Sequence, residues 1–286
     1  MLLTIGDLVE NILIQLSSVP RRGADTVVRS ARLRGGSGAN VAALVAESGG
    51  EVRFVGQTGD DTIGHALAYD LRQRGVNTHL SHLGGTGVTV TTAGQGGRSR
   101  LVDRGPSSRV TVIHDEVLDD VSHVYLPASV FAADPLASAM DSILGLIRDR
   151  RLPITLGAPG SADLEEIGGP AFRELVTTLE PDAVVLNRAE HAALECTSRQ
   201  PLDGARLTVV TAGARPTLVL SATGDESVPV SPVSTIRDRT GVGDAFIAGF
   251  VMSRRTGADG VAASHAGHRV AARVLGELGP TTGRRR

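Results

Sequence analysis

The chain reads as an α/β fold built on a mostly parallel sheet covered by helices on both faces. Three observations predict it. Short apolar runs recur at residues 2–5, 52–55, 121–126, 153–156, 183–186 and 207–211, with 217–220 as a further candidate strand. Longer stretches with helical spacing alternate with them, at 62–74, 135–150, 170–179, 244–255 and 260–275. The length, 286 residues, is enough to bury a full core in one domain. Strands separated by helices of this length pair in parallel, because the helix is the crossover.

Taken in order, the first run, Leu2-Leu3-Thr4-Ile5, opens the chain as a strand, with no basic segment before it, so no signal peptide is expected. The helix at 62–74 closes on Arg74-Gly75-Val76. The rhythm then breaks. From Thr78 to about Arg104 β-branched and small residues alternate among many glycines, as in Gly84-Gly85-Thr86-Gly87-Val88-Thr89-Val90-Thr91-Thr92. No helical period fits, and a hairpin or small sheet standing off the main body is expected. Residues around 20–34 are expected to contribute to it. After it the strand–helix alternation resumes to the end, where Arg284-Arg285-Arg286 reads as a frayed, solvated tail. No internal repeat or low-complexity tract interrupts it.

Composition removes several classes of function. A net charge of −2 gives no electrostatic case for nucleic acid or a membrane surface. No apolar stretch approaches the ~18 residues of a membrane span. The single cysteine, Cys196, makes neither an internal disulfide nor a cysteine zinc site, which fits a cytoplasmic protein. All 29 basic residues are arginine. Without lysine, Walker-type NTPases, protein kinases and Schiff-base or pyridoxal-phosphate enzymes are excluded. Phosphate chemistry here must rest on backbone amides, helix dipoles, a metal ion or arginine.

The sharpest local feature is Asp238-Arg239-Thr240-Gly241-Val242-Gly243-Asp244-Ala245-Phe246, followed by an apolar helical run. Glycines at 241 and 243 let the backbone turn tightly and point several N–H groups at one spot, and a helix starting near Asp244 adds its positive end. That is an anion site needing no lysine. A carboxylate there repels phosphate, but it makes sense as a base that takes a proton from an attacking hydroxyl. The plainer alternative is a helix-capping aspartate after a glycine turn.

Other segments, read with this one, resemble a known family. Gly241-Val242-Gly243-Asp244-Ala245-Phe246-Ile247-Ala248-Gly249 resembles the C-terminal signature of the ribokinase-like (PfkB) carbohydrate kinases. Gly35-Gly36-Ser37-Gly38-Ala39-Asn40-Val41-Ala42 resembles their N-terminal glycine motif, and Gly56-Gln57-Thr58-Gly59-Asp60 the segment after it. Asn187-Arg188-Ala189-Glu190 is similar to their N-x-x-E motif, and Thr211-Ala212-Gly213 to their T-x-G nucleotide loop. Order and spacing agree from about Gly6 to Gly279.

The resemblance implies a ribokinase-like three-layer α/β/α fold over a single domain, 1–286, with a β-rich lid formed by about 12–34 and 78–104. It implies an ATP- and Mg2+-dependent phosphotransferase acting on a sugar hydroxyl. Asp244 matches the catalytic base and Gly241, Val242 and Gly243 the anion hole. Gly36 and Asn40 match substrate contacts. Asn187 and Glu190 match positions that organise Mg2+ and the nucleotide phosphates through water, and Thr211 and Gly213 the nucleotide side of the cleft. Asp238 matches a position that in many members helps hold a monovalent cation such as K+. The lid implies a homodimer contact. On the residues alone, the alternative for Asn187 and Glu190, three apart at a helix start, is a cap and a helix-stabilising acid.

Several positions depart from the family pattern. Asn11, five residues after Gly6, stands where a substrate-binding aspartate is usual; an amide both donates and accepts. Ser37 replaces the lysine of ribokinases proper, Gly157 a common aspartate, and Gly267 a frequent asparagine. Arg239 and Val242 replace the commoner threonine and alanine. These leave the acceptor open. The Arg98, Arg100, Arg104 and Arg109 cluster reads either as a solvated face or as a site for a phosphate on the substrate. His79 and His82 lack a third ligand and read as surface histidines. Gly36-Ser37-Gly38 resembles a nucleophile elbow only slightly. A nucleoside acceptor is the alternative to a sugar. A base needs stacking surfaces, and the 78–104 segment has no aromatic residue, leaving Phe131 and the sparse aromatics elsewhere. A non-catalytic sugar-binding regulator is the remaining reading, against which an intact Asp244 argues, since binding alone needs no base.

Overall fold

The computed structural model describes residues 1–283 except 95–96, 111–112, 133, 158–159 and 197–198. The Arg284–Arg286 tail therefore lies outside the described residues. In chain order the elements are β1 (Leu2–Ile5), β2 (Val9–Leu16), β3 (Arg29–Gly35), α1 (Ser37–Glu47), β4 (Val52–Thr58), α2 (Thr62–Gln73) and β5 (Asn77–His82). Next come β6 (Val88–Gly94), β7 (Gly97–Asp103), β8 (His123–Pro127), α3 (Leu136–Asp149), β9 (Ile154–Gly157), α4 (Ser161–Ile167) and α5 (Gly169–Leu179). Last are β10 (Ala183–Asn187), α6 (Arg188–Ala193), β11 (Leu207–Ala212), β12 (Arg215–Ser221), β13 (Gly224–Val228), α7 (Val242–Arg254) and α8 (Gly260–Leu275).

The main sheet has nine strands in the order β13-β12-β11-β10-β9-β8-β1-β4-β5. The seven from β11 to β5 are parallel, and β12 and β13 add an antiparallel edge. The period-two pleat explains why the strands read as continuous apolar runs: both faces are buried. On β1, Leu2 packs into one core with Phe54, Phe250 and Val274, while Leu3 and Ile5 pack into the other with Met140, Ile143 and Phe172. The fold is the ribokinase-like α/β arrangement that the motifs imply.

A second sheet of four strands, β3-β2-β6-β7, stands apart from the first. β2 pairs antiparallel with β3 and parallel with β6, and β6 and β7 form an antiparallel hairpin with Thr91 opposite Arg100. Residues 78–82, expected from sequence in this small sheet, belong instead to β5, which adds to the main sheet in parallel beside β4 with Thr78 opposite Phe54. Its alternation of exposed and half-buried residues suits an edge strand of either sheet, so pattern alone does not decide between them. The small sheet also takes in more of the N-terminal segment than expected, since β2 begins at Val9.

Candidate active site

The parallel strands β1, β8, β10 and β11 end on one side of the main sheet, the usual place for a ligand in an α/β sheet. A cleft of ≈ 650 Å³ opens there. Asp7, after β1, Asn187, at the end of β10, and Thr211, on β11, line its floor; Val9, Asn11, Thr89, Thr91, Arg98 and Arg100 of the small sheet line its roof.

Asp244 lies in the first turn of α7, whose N-cap is Gly241. Gly241 has φ 77°, and an added Cβ would run into the Pro280 ring, so both conformation and space require glycine. The first intrahelical bond is Ala245 N–H to the Gly241 carbonyl at 2.8 Å. Of the N–H groups before it, that of Val242 reaches the Arg239 carbonyl at 3.4 Å, while those of Gly243 and Asp244 lie ahead of the helical repeat that would bond them, and the helix dipole adds positive character at this end. The open face of Gly243 has nothing within 4 Å of an added Cβ.

Both oxygens of the Asp244 carboxylate are held. Ser37 Oγ donates to Oδ1 at 2.7 Å and Asn40 Nδ2 to Oδ2 at 2.8 Å. Behind Ser37 stands the Tyr125 hydroxyl, 2.8 Å from Oγ. Burial, with the Asp244 charge nearby, pushes the Tyr125 hydroxyl far above its ordinary range, so it stays a donor. Desolvation raises the Asp244 carboxyl above the usual aspartate range, while Ser37, Asn40, Arg100 and Arg34 pull the other way. Ser37 and Asn40 share α1 because Gly36, with φ 95°, turns the chain into that helix; an added Cβ there would collide with the Asp7 carbonyl.

Across the cleft, Asn187 and Glu190 form a full capping box on α6. Asn187 Oδ1 accepts from the N–H groups of Ala189 and Glu190 at 2.8 and 3.0 Å, and Glu190 Oε2 accepts from Asn187 N–H at 2.7 Å. The capping role is thus real, and both residues still line the cleft. Burial pushes the Glu190 carboxyl up to about 7, against the pull of the Asn187 N–H and with a further push from Asp163. Among the described residues no three His, Cys, Asp or Glu side chains gather as a metal cage. A hydrated Mg2+, which keeps most of its waters, fits the remaining Glu190 oxygen near Asp163.

Asn11 is buried on β2; its Oδ1 accepts from Thr91 Oγ1 at 2.9 Å, leaving the amide N–H groups for a ligand. Thr211 lines the cleft and donates to the Leu186 carbonyl at 3.2 Å. Gly213, in the turn from β11 to β12, is not among the lining residues. Neither is Asp238, whose oxygens accept from Thr240 N–H and Oγ1 at 3.1 and 3.0 Å and from Gly279 N–H at 2.9 Å. It clamps the turn that leads into Gly241.

Of the arginine cluster, Arg98, Arg100 and Arg104 line the cleft and Arg109 does not. Arg104 is paired with Asp7, at 2.9 Å, and with Asp163. Arg98 and Arg100 face the cleft with no ion-pair partner among the described residues. His82, grouped with His79 in the sequence, instead bonds the Gly59 carbonyl at 3.0 Å and stacks on His65. Sequence reasoning missed the Tyr125–Ser37 relay behind Asp244 and the Asp7–Arg104 pair, because no spacing links residues so far apart. Ser37 lay inside a motif already singled out, the one signal that pointed to it.

A family model of pfkB family carbohydrate kinases matches residues 2–285. The chain is 27% identical over 238 residues to fructokinase-2 of Zea mays, covering 77% of this chain and 70% of that protein. An adenosine kinase from Sinorhizobium meliloti superposes with a TM-score of 0.86 at 22% identity, over 98% of this chain and 94% of that one. A putative ribokinase II from E. coli, in complex with ATP and Mg2+, superposes with a TM-score of 0.82 at 18% identity, over 99% of this chain and 94% of that one. The chain belongs to the pfkB family of carbohydrate kinases and is a phosphotransferase with an alcohol group as acceptor.

Proposed function

We propose that the protein transfers the γ-phosphoryl group of ATP to a hydroxyl of a small sugar, with Asp244 as general base. The observation that carries this reading is the placement of one doubly held carboxylate beside the open N-terminal turn of α7, inside a cleft shared with Asn187 and Glu190. Asp244 takes the proton of the hydroxyl, the freed oxygen attacks the γ-phosphorus, and ADP leaves. The backbone around Gly241, Val242 and Gly243 stabilises charge on the transferring oxygens. Asn11, Gly36 and Asn40 lie on the acceptor side; Thr211 and, beyond the cleft wall, Gly213 lie on the nucleotide side. Glu190, with Asp163 nearby, would hold a hydrated Mg2+, which would supply charge neutralisation for the phosphates.

A sugar is favoured over a nucleoside by the walls of the cleft. Among the described residues, the aromatic side chain lining it is Tyr125, which is 1% exposed and uses its hydroxyl on Ser37, so its ring offers no stacking face for a base. A second reading, an acceptor that already carries a phosphate or carboxylate, is favoured by the unpaired Arg98 and Arg100 in the roof. An ADP-release assay over a panel of neutral sugars, sugar phosphates, sugar acids and nucleosides tests all of these. Turnover with a nucleoside alone rejects the sugar, and saturable sugar binding without ADP release rejects the kinase.

A further inference from the structure

Arg34, at the end of β3, is the most enclosed cation near the site, only 7% exposed. Its fork reaches three acceptors on three parts of the chain. Nε donates to Asn40 Oδ1 at 3.2 Å, Nη1 to Asp70 Oδ2 at 2.8 Å and Nη2 to the Pro280 carbonyl at 2.8 Å. Burying a guanidinium is tolerable because of this pairing. Asp70 also pairs with Arg74 at 2.8 Å, and Arg74 with Glu47, so two cations face two carboxylates.

The consequence lies in the Asn40 amide. Arginine has only donors. An Asn40 turned the other way would set its N–H2 against the guanidinium and its oxygen against the Asp244 carboxylate, two mismatches at once. Contact with Arg34 therefore fixes the amide with its oxygen toward β3 and its N–H2 toward Asp244 Oδ2. Pro280 links the same arginine to the other side of the site: its carbonyl accepts from Arg34 while its ring packs against Gly241. We propose that Arg34 is a positioning residue that acts through Asn40, locking the amide so that Asp244 is held from both oxygens and aimed into the cleft. The proposal deepens the general-base reading of Asp244 and rests on it for its catalytic meaning.

Other groups face Asp244: Tyr125 through Ser37, and Arg100 and Arg98 from the roof, with Asp238 near Arg98. Removing Arg34 leaves all of these in place, and Asp70 keeps Arg74. The test follows the carboxyl carbon of Asp244 by NMR as pH is varied, together with the acid limb of kcat/KM. In Arg34→Met both should move up by about one pH unit, a roughly tenfold loss of kcat/KM below the limb. Asn40→Ala should move them likewise while leaving Arg34 on Asp70 and Pro280, and Arg34→Met added to Asn40→Ala should move them by clearly less than the sum of the two single shifts, the remainder being the direct pull of the Arg34 charge. An Asp244 titration unmoved by Asn40→Ala, or by a folded Arg34→Met, overturns the proposal; so do additive shifts in the double variant. Should Arg34→Met not fold, Arg34→Lys, which keeps the charge and loses the fork that reaches Asn40, is read in its place: an unmoved Asp244 titration there overturns the proposal. Asp244→Asn separates the two ideas: full turnover there removes the base, while the wild-type carboxyl titration and its response to Arg34→Met still judge Arg34.

Discussion

Asn40 Nδ2 donates to Asp244 Oδ2 at 2.8 Å across 204 residues of sequence. The bond joins the first turn of α1 to the first turn of α7, so two glycine turns, at Gly36 and Gly241, converge on one carboxylate. Each helix brings its N-terminus to the cleft, and together they surround Asp244 with donors.

Replacing Asp244 with asparagine keeps the size and removes the base. The expected outcome is a kcat lower by ~10²–10⁴-fold, with ATP affinity little changed, because the backbone amides remain. Steady-state kinetics and nucleotide titration of the purified variant check it. A variant that keeps most of its kcat rules out Asp244 as the base.

Much of this was legible in the sequence, and the parts that were not share a cause. The parallel strands showed as apolar runs because burial on both faces leaves them no polar residues to interrupt the signal. Helix α1 escaped a pattern reading for the same reason: Gly38 to Glu47 are all buried, so it has no polar face to give a helical period. The motif around it was found only through its glycines. Asp244 and Gly241 stood out locally, yet the Ser37, Asn40 and Tyr125 contacts that hold Asp244 depend on tertiary approach. The strand at residues 77–82 went to the wrong sheet because alternation fixes which side chains share a face and not which neighbour supplies the hydrogen bonds.

Stability at acid pH should depend on His123. It is 1% exposed, between β1 and β9, with Nε2 2.8 Å from Thr155 Oγ1. Desolvation pulls its imidazole down to about 4, with Arg254 and Arg255 adding to the pull and Asp182 opposing it. An unfolded chain binds this proton near the ordinary value of ~6.5, so between the two values the unfolded state holds more protons. Stability is therefore full above about pH 6.5 and is lost as pH falls toward 4, by on the order of 3 kcal/mol from this residue. Urea unfolding of His123→Gln, which keeps a donor for Thr155, should show a flatter pH profile over that window. Identical slopes would reject the assignment.

A monovalent cation should raise the rate through the turn that Asp238 clamps. Asp238 ties Thr240 and Gly279 together directly before Gly241, so a cation seated beside it would stiffen the backbone that faces the phosphate. The comparison is the rate in K+ against a large organic cation at equal ionic strength. Equal rates remove the proposal, and K+ activation that survives Asp238→Ala moves the site elsewhere.

The small sheet is proposed to act as a lid and to bind a second copy of the chain. Its inner face supplies Asn11, Thr89, Thr91, Arg98 and Arg100 to the cleft, so its distance from the main sheet sets how wet the site is. Closing it over the acceptor would keep water from the transferring phosphoryl group and so limit wasteful hydrolysis of ATP. The strand β7 is exposed along its length, with Leu101 68% exposed, and among the described residues its outer edge is unpaired. An open edge with an exposed leucine is a pairing surface for a second copy. A true acceptor should slow hydrogen exchange in residues 88–103 and 9–16 more than in β1 and β8, whose bonds are buried at all times. β5, although next to this segment in sequence, should behave like the main sheet to which it is bonded. Small-angle scattering of the free protein should give the dimensions of a dimer. Exchange in 88–103 that no turned-over substrate slows would refute the lid, and a strict monomer would refute the dimer alone.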